Sequence, residues 1–162
     1  MRILGIDPGI GRCGWGVVDS QNSKYKAQGF GCIETSPKKE IPERLQEIYT
    51  EISKLIKIHK PEALGIEELF FNTNAKTAFV VGQARGVILL AAEQNNLEIA
   101  IYTPLQVKMA LTGYGHAEKS QVGKMVKSLL SLKEVPKPDD TADALAIALT
   151  HAFSQKYAKF TK

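Results

Sequence analysis

Leu4-Gly5-Ile6-Asp7-Pro8-Gly9 is the stretch on which the reading of the fold turns. Arg2 to Ile6 is a short, almost wholly apolar run, the pattern of a central strand buried on both faces. Pro8, which lacks a backbone donor, and Gly9 end it in a turn. Asp7 is therefore a carboxylate on the last residue of a buried strand, a costly place for a charge unless a cation or a hydrogen-bond network meets it. Leu64-Gly65-Ile66-Glu67 nearly repeats the motif. If the two strands lie side by side and parallel, their backbones are ~4.8 Å apart and both acids point into one crevice at the strands' carboxyl ends.

Outward from that pair, Gly14 to Asp19 and Gly29 to Thr35 read as further strands, joined through the turn chemistry of Gln21-Asn22-Ser23 into a meander. Gly9, Gly11 and Gly14 surround the first turn and are expected to let backbone approach a ligand. Pro42 to Lys57 is an amphipathic helix with the stripe Leu45, Ile48, Ile52, Leu55 and Ile56. Ala63 to Glu67 is the fourth strand. A long helix follows, capped by Thr73 or Asn74 and running to about Gln94, and Glu98 to Tyr102 is the fifth strand. Thr103-Pro104 opens a short helix that Gly113 and Gly115 break. Glu118 to Leu130 is amphipathic, with lysines outward. Asp139 or Asp140 is expected to cap a last helix to about Phe153, apolar nearly all round from Ala142 to Leu149. The order is three strands, helix, strand, helix, strand, then helices, an α/β arrangement.

At 162 residues the chain suits one domain. We expect it to occupy residues 1–153, with 154–162 as a basic, frayed tail. No apolar run approaches the ~20 residues of a membrane span. The N-terminus enters a strand directly, leaving no room for a signal peptide. Cys13 and Cys32 have no metal-ligand spacing and read as reduced thiols of a cytoplasmic protein. Net charge is +4, and its placement matters more than its size. Between Thr103 and Lys137 stand six lysines and two glutamates, a local excess equal to the whole chain's. A basic surface beside an acidic crevice suggests a polyanion held near bound metal; a solvated helix face is the plainer alternative.

Asp140 and Asp143 are three apart and share a face on the first turn of the last helix. Capping explains Asp139, Asp140 or both, but Asp143 lies too far inside, and the helix dipole offers only ~0.3–1 kcal/mol against the several that burying an ion costs. Asp7, Glu67, Asp140 and Asp143 thus form a candidate cluster of four carboxylates, which would raise one another's pKa without a cation. Mg²⁺ resolves such a cluster, and two ions ~3.5–4 Å apart can activate water and stabilise the leaving oxygen in phosphodiester hydrolysis. Glu68 points to the other side of its strand from Glu67. His59, His116 and His151 are scattered and read as surface or structural residues.

Five ordered motifs carry a resemblance over nearly the whole chain: Gly5-Ile6-Asp7-Pro8-Gly9, Ile66-Glu67, Gly82-Gln83-Ala84-Arg85-Gly86, Ala117-Glu118-Lys119-Ser120-Gln121-Val122 and Asp140-Thr141-Ala142-Asp143-Ala144-Leu145-Ala146. The chain resembles the RuvC family of bacterial Holliday-junction resolvases. The resemblance implies a ribonuclease H-like fold, with a five-stranded mixed sheet flanked by helices. It also implies a homodimer and Mg²⁺-dependent paired nicking of four-way DNA junctions, with Mn²⁺ as a substitute ion and products bearing 5′-phosphate and 3′-hydroxyl ends. In the family's pattern Asp7, Glu67, Asp140 and Asp143 fall on catalytic, metal-binding positions. Lys108 and Lys119 fall on basic positions associated with DNA and catalysis, Phe70 on an aromatic position that stacks on bases, and Arg85 within a motif we assign to DNA binding. RuvA and RuvB branch-migration proteins are the implied partners.

Phe70 follows Glu67 closely enough to unstack a base beside the cut, with a core position as the alternative. Gly82 and Gly86 leave one helix face flat, either for packing within the subunit or for a twofold seam. A sugar-kinase or actin-like ATPase shares the strand-end motif but needs a second lobe. A silent junction-binding module would keep the lysines without the acids. A ribonuclease H-like nuclease acting on RNA is the nearest rival.

Overall fold

The computed structural model describes residues 1–68 and 75–160. Five strands form one mixed sheet: β1 (Arg2–Asp7), β2 (Arg12–Gln21), β3 (Lys24–Glu34), β4 (Ala63–Glu67) and β5 (Glu98–Tyr102), in the order β3-β2-β1-β4-β5. β1 runs antiparallel to β2 and parallel to β4, and β4 runs parallel to β5. The expected adjacency of the two acid-ended strands is therefore present, with Leu4 opposite Leu64 and Ile6 opposite Ile66.

β2 and β3 are each longer than the sequence suggested. Their pairing continues to Gln21 opposite Lys24, leaving only Asn22 and Ser23 in the loop, both with positive φ. That is the primed two-residue turn whose twist suits a hairpin, so the strands extend to its edge.

Helices cover both faces. α1 (Ile41–His59) and α2 (Ala75–Gln94) lie on one side, where Ile48, Ile52, Ile56, Ala84 and Ile88 pack on Leu4, Ile6, Val17, Leu64 and Ile66. α3 (Pro104–Thr112), α4 (Lys119–Leu129) and α5 (Asp139–Phe160) lie on the other, with Val107, Val122, Leu145 and Leu149 against Ile3 and Val18.

α5 approaches the sheet very closely, and glycines make that possible. A Cβ at Gly5 would stand 2.1 Å from the Ala144 carbonyl oxygen, and one at Gly14 would stand 2.0 Å from that of Asp140. A Cβ at Gly16 would meet the Leu145 side chain instead, and Gly65 lies beneath Ile147. Gly14 thus makes room for α5 rather than for a ligand, which corrects the expectation for the first turn. The cause is the alternation of a strand: residues 14 and 16 share the face on which the helix rests.

α5 also departs from expectation at both ends. Asp139 and Asp140 lie inside its first turn rather than ahead of it, and the Thr141 amide donates to the Pro138 carbonyl. At the far end the helix continues to Phe160, not Phe153. Residues 154–160 contain neither Gly nor Pro, so each added residue gains a backbone bond at little nucleation cost. The Ser154 hydroxyl donates to Thr150, and Gln155 Nε2 donates to Glu98.

Candidate active site

Strand parity decides which way the acids point. On β1, Ile3 and Gly5 face α5 while Leu4 and Ile6 face α1 and α2, so Asp7 faces α5. On β4, Gly65 faces α5, and so does Glu67. The two acids end neighbouring parallel strands, one residue beyond the Ile6–Ile66 pair. α5 crosses above them with Asp143 turned toward the same space. Asp7, Glu67, Asp143, Lys108 and Lys119 line a cleft of about 370 Å³, with Pro104, Val107, Val122 and Ile147 as its apolar wall. Asp140 sits beside it, one turn earlier on α5.

Electrostatics show how crowded these acids are. Burial, reinforced by Glu67, Asp143 and Asp140, pushes the Asp7 carboxyl up to about 7, with Lys119 opposing. Burial first and Asp143 second raise Glu67. Burial also raises Asp143, against the hydrogen bond from Lys119. Two cations answer the cluster. Lys119 Nζ lies 2.7 Å from Asp143 Oδ2, and that bond holds the ammonium above its ordinary pKa. Arg12 Nε lies 3.3 Å from Asp140 Oδ2, a buried oxygen with no aligned hydrogen-bond donor.

With those two acids turned to cations, no three His, Cys, Asp or Glu side chains among the described residues close on one point as a metal cage. The donor set nonetheless suits a hard divalent ion: carboxylate oxygens only, mutually repelling, in a cleft open enough to admit substrate oxygens. The raised proton affinity of Asp7 is what such an ion would relieve.

The other expected residues fall as follows. Lys108 lines the cleft, and no acid among the described residues pairs with it. Arg85 is half-buried, and its Nε donates to the Glu67 carbonyl at 3.2 Å, so part of this cation holds the end of β4 in place. Phe70 lies outside the described residues, as do Phe71 and the expected caps Thr73 and Asn74. Glu68 is exposed and away from the cleft, with its amide donating to the Tyr102 carbonyl. None of the histidines joins the cleft: His59 packs on Trp15, His116 on Tyr114, and His151 is buried with Nδ1 2.8 Å from the Tyr102 hydroxyl.

Sequence reasoning missed Arg12. Its signal was faint, a cation emerging from the turn that follows Asp7, and only the approach of α5 brings Asp140 to it. Cys13 is a buried free thiol and Cys32 a half-buried one.

Comparison with known proteins gives the family. The family model described as Crossover junction endodeoxyribonuclease RuvC matches residues 3–151. A Crossover junction endodeoxyribonuclease RuvC from Caldicellulosiruptor saccharolyticus is 55% identical over 155 residues, covering 95% of this chain and 93% of that protein. The Thermus thermophilus RuvC structure superposes with a TM-score of 0.91 at 41% identity, covering 98% of this chain and 97% of that one. A second structure, T. thermophilus RuvC in complex with Holliday junction substrate, gives a TM-score of 0.90 at 39% identity, covering 97% and 96%.

Proposed function

The chain belongs to the RuvC family of crossover junction endodeoxyribonucleases, and we propose that Asp7, Glu67, Asp140 and Asp143 are its catalytic, metal-binding acids. It is a metal-dependent nuclease that resolves Holliday junctions in recombination and repair. On our reading the ions are two Mg²⁺ per subunit, with Mn²⁺ as a working substitute. The observation that carries this assignment is the register of β1 and β4, which sets two half-buried strand-end carboxylates side by side under Asp143.

Divalent ions held by these acids would lower the pKa of the attacking water and offset charge on the leaving oxygen. The chain's own groups prepare that chemistry. Asp7 must give up a proton that burial, reinforced by its acidic neighbours, makes it hold near neutrality. Arg85 anchors the Glu67 backbone, so the strand end does not retreat when its acid is charged. Lys119, bonded here to Asp143, would be free to face a nonbridging phosphate oxygen if that acid were paired with another cation. Lys108, which pairs with no acid among the described residues, supplies a contact to the DNA backbone. The products are a 5′-phosphate and a 3′-hydroxyl. Phe70 is assigned to stacking on bases, and the guanidinium donors of Arg85 left after the Glu67 bond are assigned to DNA.

We read the active form as a homodimer. Along α2, Phe79 and Leu90 are 67% and 52% exposed. A Cβ at Gly86 between them would meet nothing within 4 Å. No described residue of the subunit covers Gly86 on that strip, so the twofold-seam reading of the glycine motif is favoured; paired nicks then follow from two identical sites. RuvA and RuvB are the proposed partners. Two reduced thiols, and no helix among the described residues able to cross a membrane, fit the cytoplasm as its compartment.

The test is a synthetic mobile four-way junction incubated with Mg²⁺ and resolved on a denaturing gel. Matched nicks in two opposite strands are expected. Preferential cutting of RNA would favour the rival reading and overturn this one.

A further inference from the structure

The turn between α3 and α4 has features that the catalytic reading leaves unused. Tyr114 is 60% exposed, a large ring held out in solvent. Its edge meets His116 at 5.7 Å and 62°, and His116 is exposed too. The residues alternating with them, Gly115 and Ala117, are buried, so the turn is anchored from below. Gly115 rests on Leu105, where a Cβ would come 3.0 Å from Cδ1.

Hydrogen bonds fix the same turn. The Tyr114 amide donates to Thr112 Oγ1 at 3.1 Å, and the Ala117 amide donates to the Tyr114 carbonyl at 3.1 Å. The Gly113 amide donates to Met109, and Gly113 takes a positive φ of 73° to make the reversal. A ring exposed on a backbone this constrained is presented before any ligand arrives, which lowers the entropy cost of using it.

Its surroundings indicate what it meets. The turn joins the helix that carries Lys108 to the first residue of α4, Lys119, and both lysines line the cleft. Pro104, next to the Leu105 on which the turn rests, lines it as well. Charge here favours a polyanion, given the six lysines and two glutamates between Thr103 and Lys137. Tyr114 is not itself a lining residue, but its turn links the two helices whose lysines are, so a nucleic acid is the occupant that the charges favour.

We propose that Tyr114, braced by His116 on the Gly113–Ala117 turn, is a base-stacking contact that takes the face of a nucleobase next to the phosphate held in the cleft. This rests on the nuclease reading above and adds a site on the wall formed by α3 and α4. Stacking on an aromatic ring is tolerant of sequence, so the contact grips the strand without selecting it.

The test places 2-aminopurine at each position flanking the cut in a four-way junction and follows its fluorescence on binding the full-length protein in EDTA. At one position the wild type is expected to change the signal, Tyr114→Phe to retain that change and Tyr114→Ala to abolish it. In Mg²⁺, Tyr114→Ala is expected to raise KM roughly tenfold with kcat unchanged. A Tyr114→Ala protein with the wild-type fluorescence change and KM overturns the proposal while the nuclease reading stands. If Tyr114→Ala alters only self-association in sedimentation, the ring belongs to a protein contact and the proposal is again overturned. A wild type that neither binds nor cuts the junction removes both readings together.

Discussion

The two faces of the sheet are built on different principles. Beneath α1 and α2, branched side chains interlock: Ile48, Ile52, Ile56 and Ile88 meet Leu4, Ile6, Leu64 and Ile66. Beneath α5, Gly5 and Gly14 let the helix backbone itself come against the strands. The first face is thick and forgiving, since side chains can shift rotamer to absorb a change. The second is thin, and its spacing is set by main-chain atoms that cannot move aside singly. The acids lie on the second face, and there the separation between Asp143 on the helix and Asp7 and Glu67 on the strands is held by rigid parts. Stability comes from both faces, but the precision of the site comes from one.

The sharpest way to break this contrast is to neutralise the acids. Asp7→Asn, Glu67→Gln or Asp143→Asn should lower junction nicking by about a thousandfold. Urea unfolding and gel-shift affinity should show a folded protein that still binds DNA through its lysines. A variant that still nicked at the wild-type rate would remove that residue from the site.

Next in size is a pair of core substitutions on opposite faces. Gly5→Ala forces a methyl into the Ala144 carbonyl and should cost about 3 kcal/mol or more. It should also depress nicking per folded molecule, because α5 is pushed off its seat. Ile52→Ala, on the other face, should cost about 2–5 kcal/mol through a cavity yet leave nicking per folded molecule unchanged. Equal loss of activity in both would erase the distinction between the faces. Denaturant titration beside a single-turnover assay separates the two quantities.

A smaller effect concerns pH. Asp7 binds its proton more tightly when folded, up to about 7, than its unfolded value of 3.8. Between these values the folded state carries more protons, so stability of the metal-free protein should fall as pH rises from about 4 to about 7. Glu67 and Asp143 are shifted in the same direction, and Lys119 opposes. Divalent ions should therefore raise the melting temperature more at pH 8 than at pH 5. Asp7→Asn should flatten the metal-free profile, as followed by calorimetry.

The smallest expected change is at Lys108. Lys108→Ala should weaken junction binding modestly and reduce the slope of log affinity against log salt by about one, since it removes one phosphate contact. An unchanged slope would take Lys108 out of the interface.

Much of this was legible in the chain itself. The bounds of β4 and β5 were read correctly, because each is a short apolar run between clear stops. Thr103-Pro104 and Gly113 marked both ends of α3, where cap chemistry is local. The hairpin was less clear: Lys24 to Gln28 alternates without a strong apolar signal, and β3 extends through it because β2 offers a ladder. Gly14 was misread because a glycine in a strand does not say what will press against it.

Asp7 and Glu67 were identifiable from sequence because a charge at the end of an apolar strand is anomalous wherever it falls, and a repeated anomaly suggests pairing. Asp143 was identifiable for the same reason within an apolar helix. Burial cost is a property of the residue and its neighbours in sequence, so it can be read in one dimension. The pairing of Arg12 with Asp140, of Lys119 with Asp143 and of Arg85 with the Glu67 carbonyl could not be read that way. Each joins residues far apart in the chain, and each depends on how closely two elements approach: α5 and the sheet, α4 and α5, or α2 and the sheet. That distance belongs to the packed molecule alone.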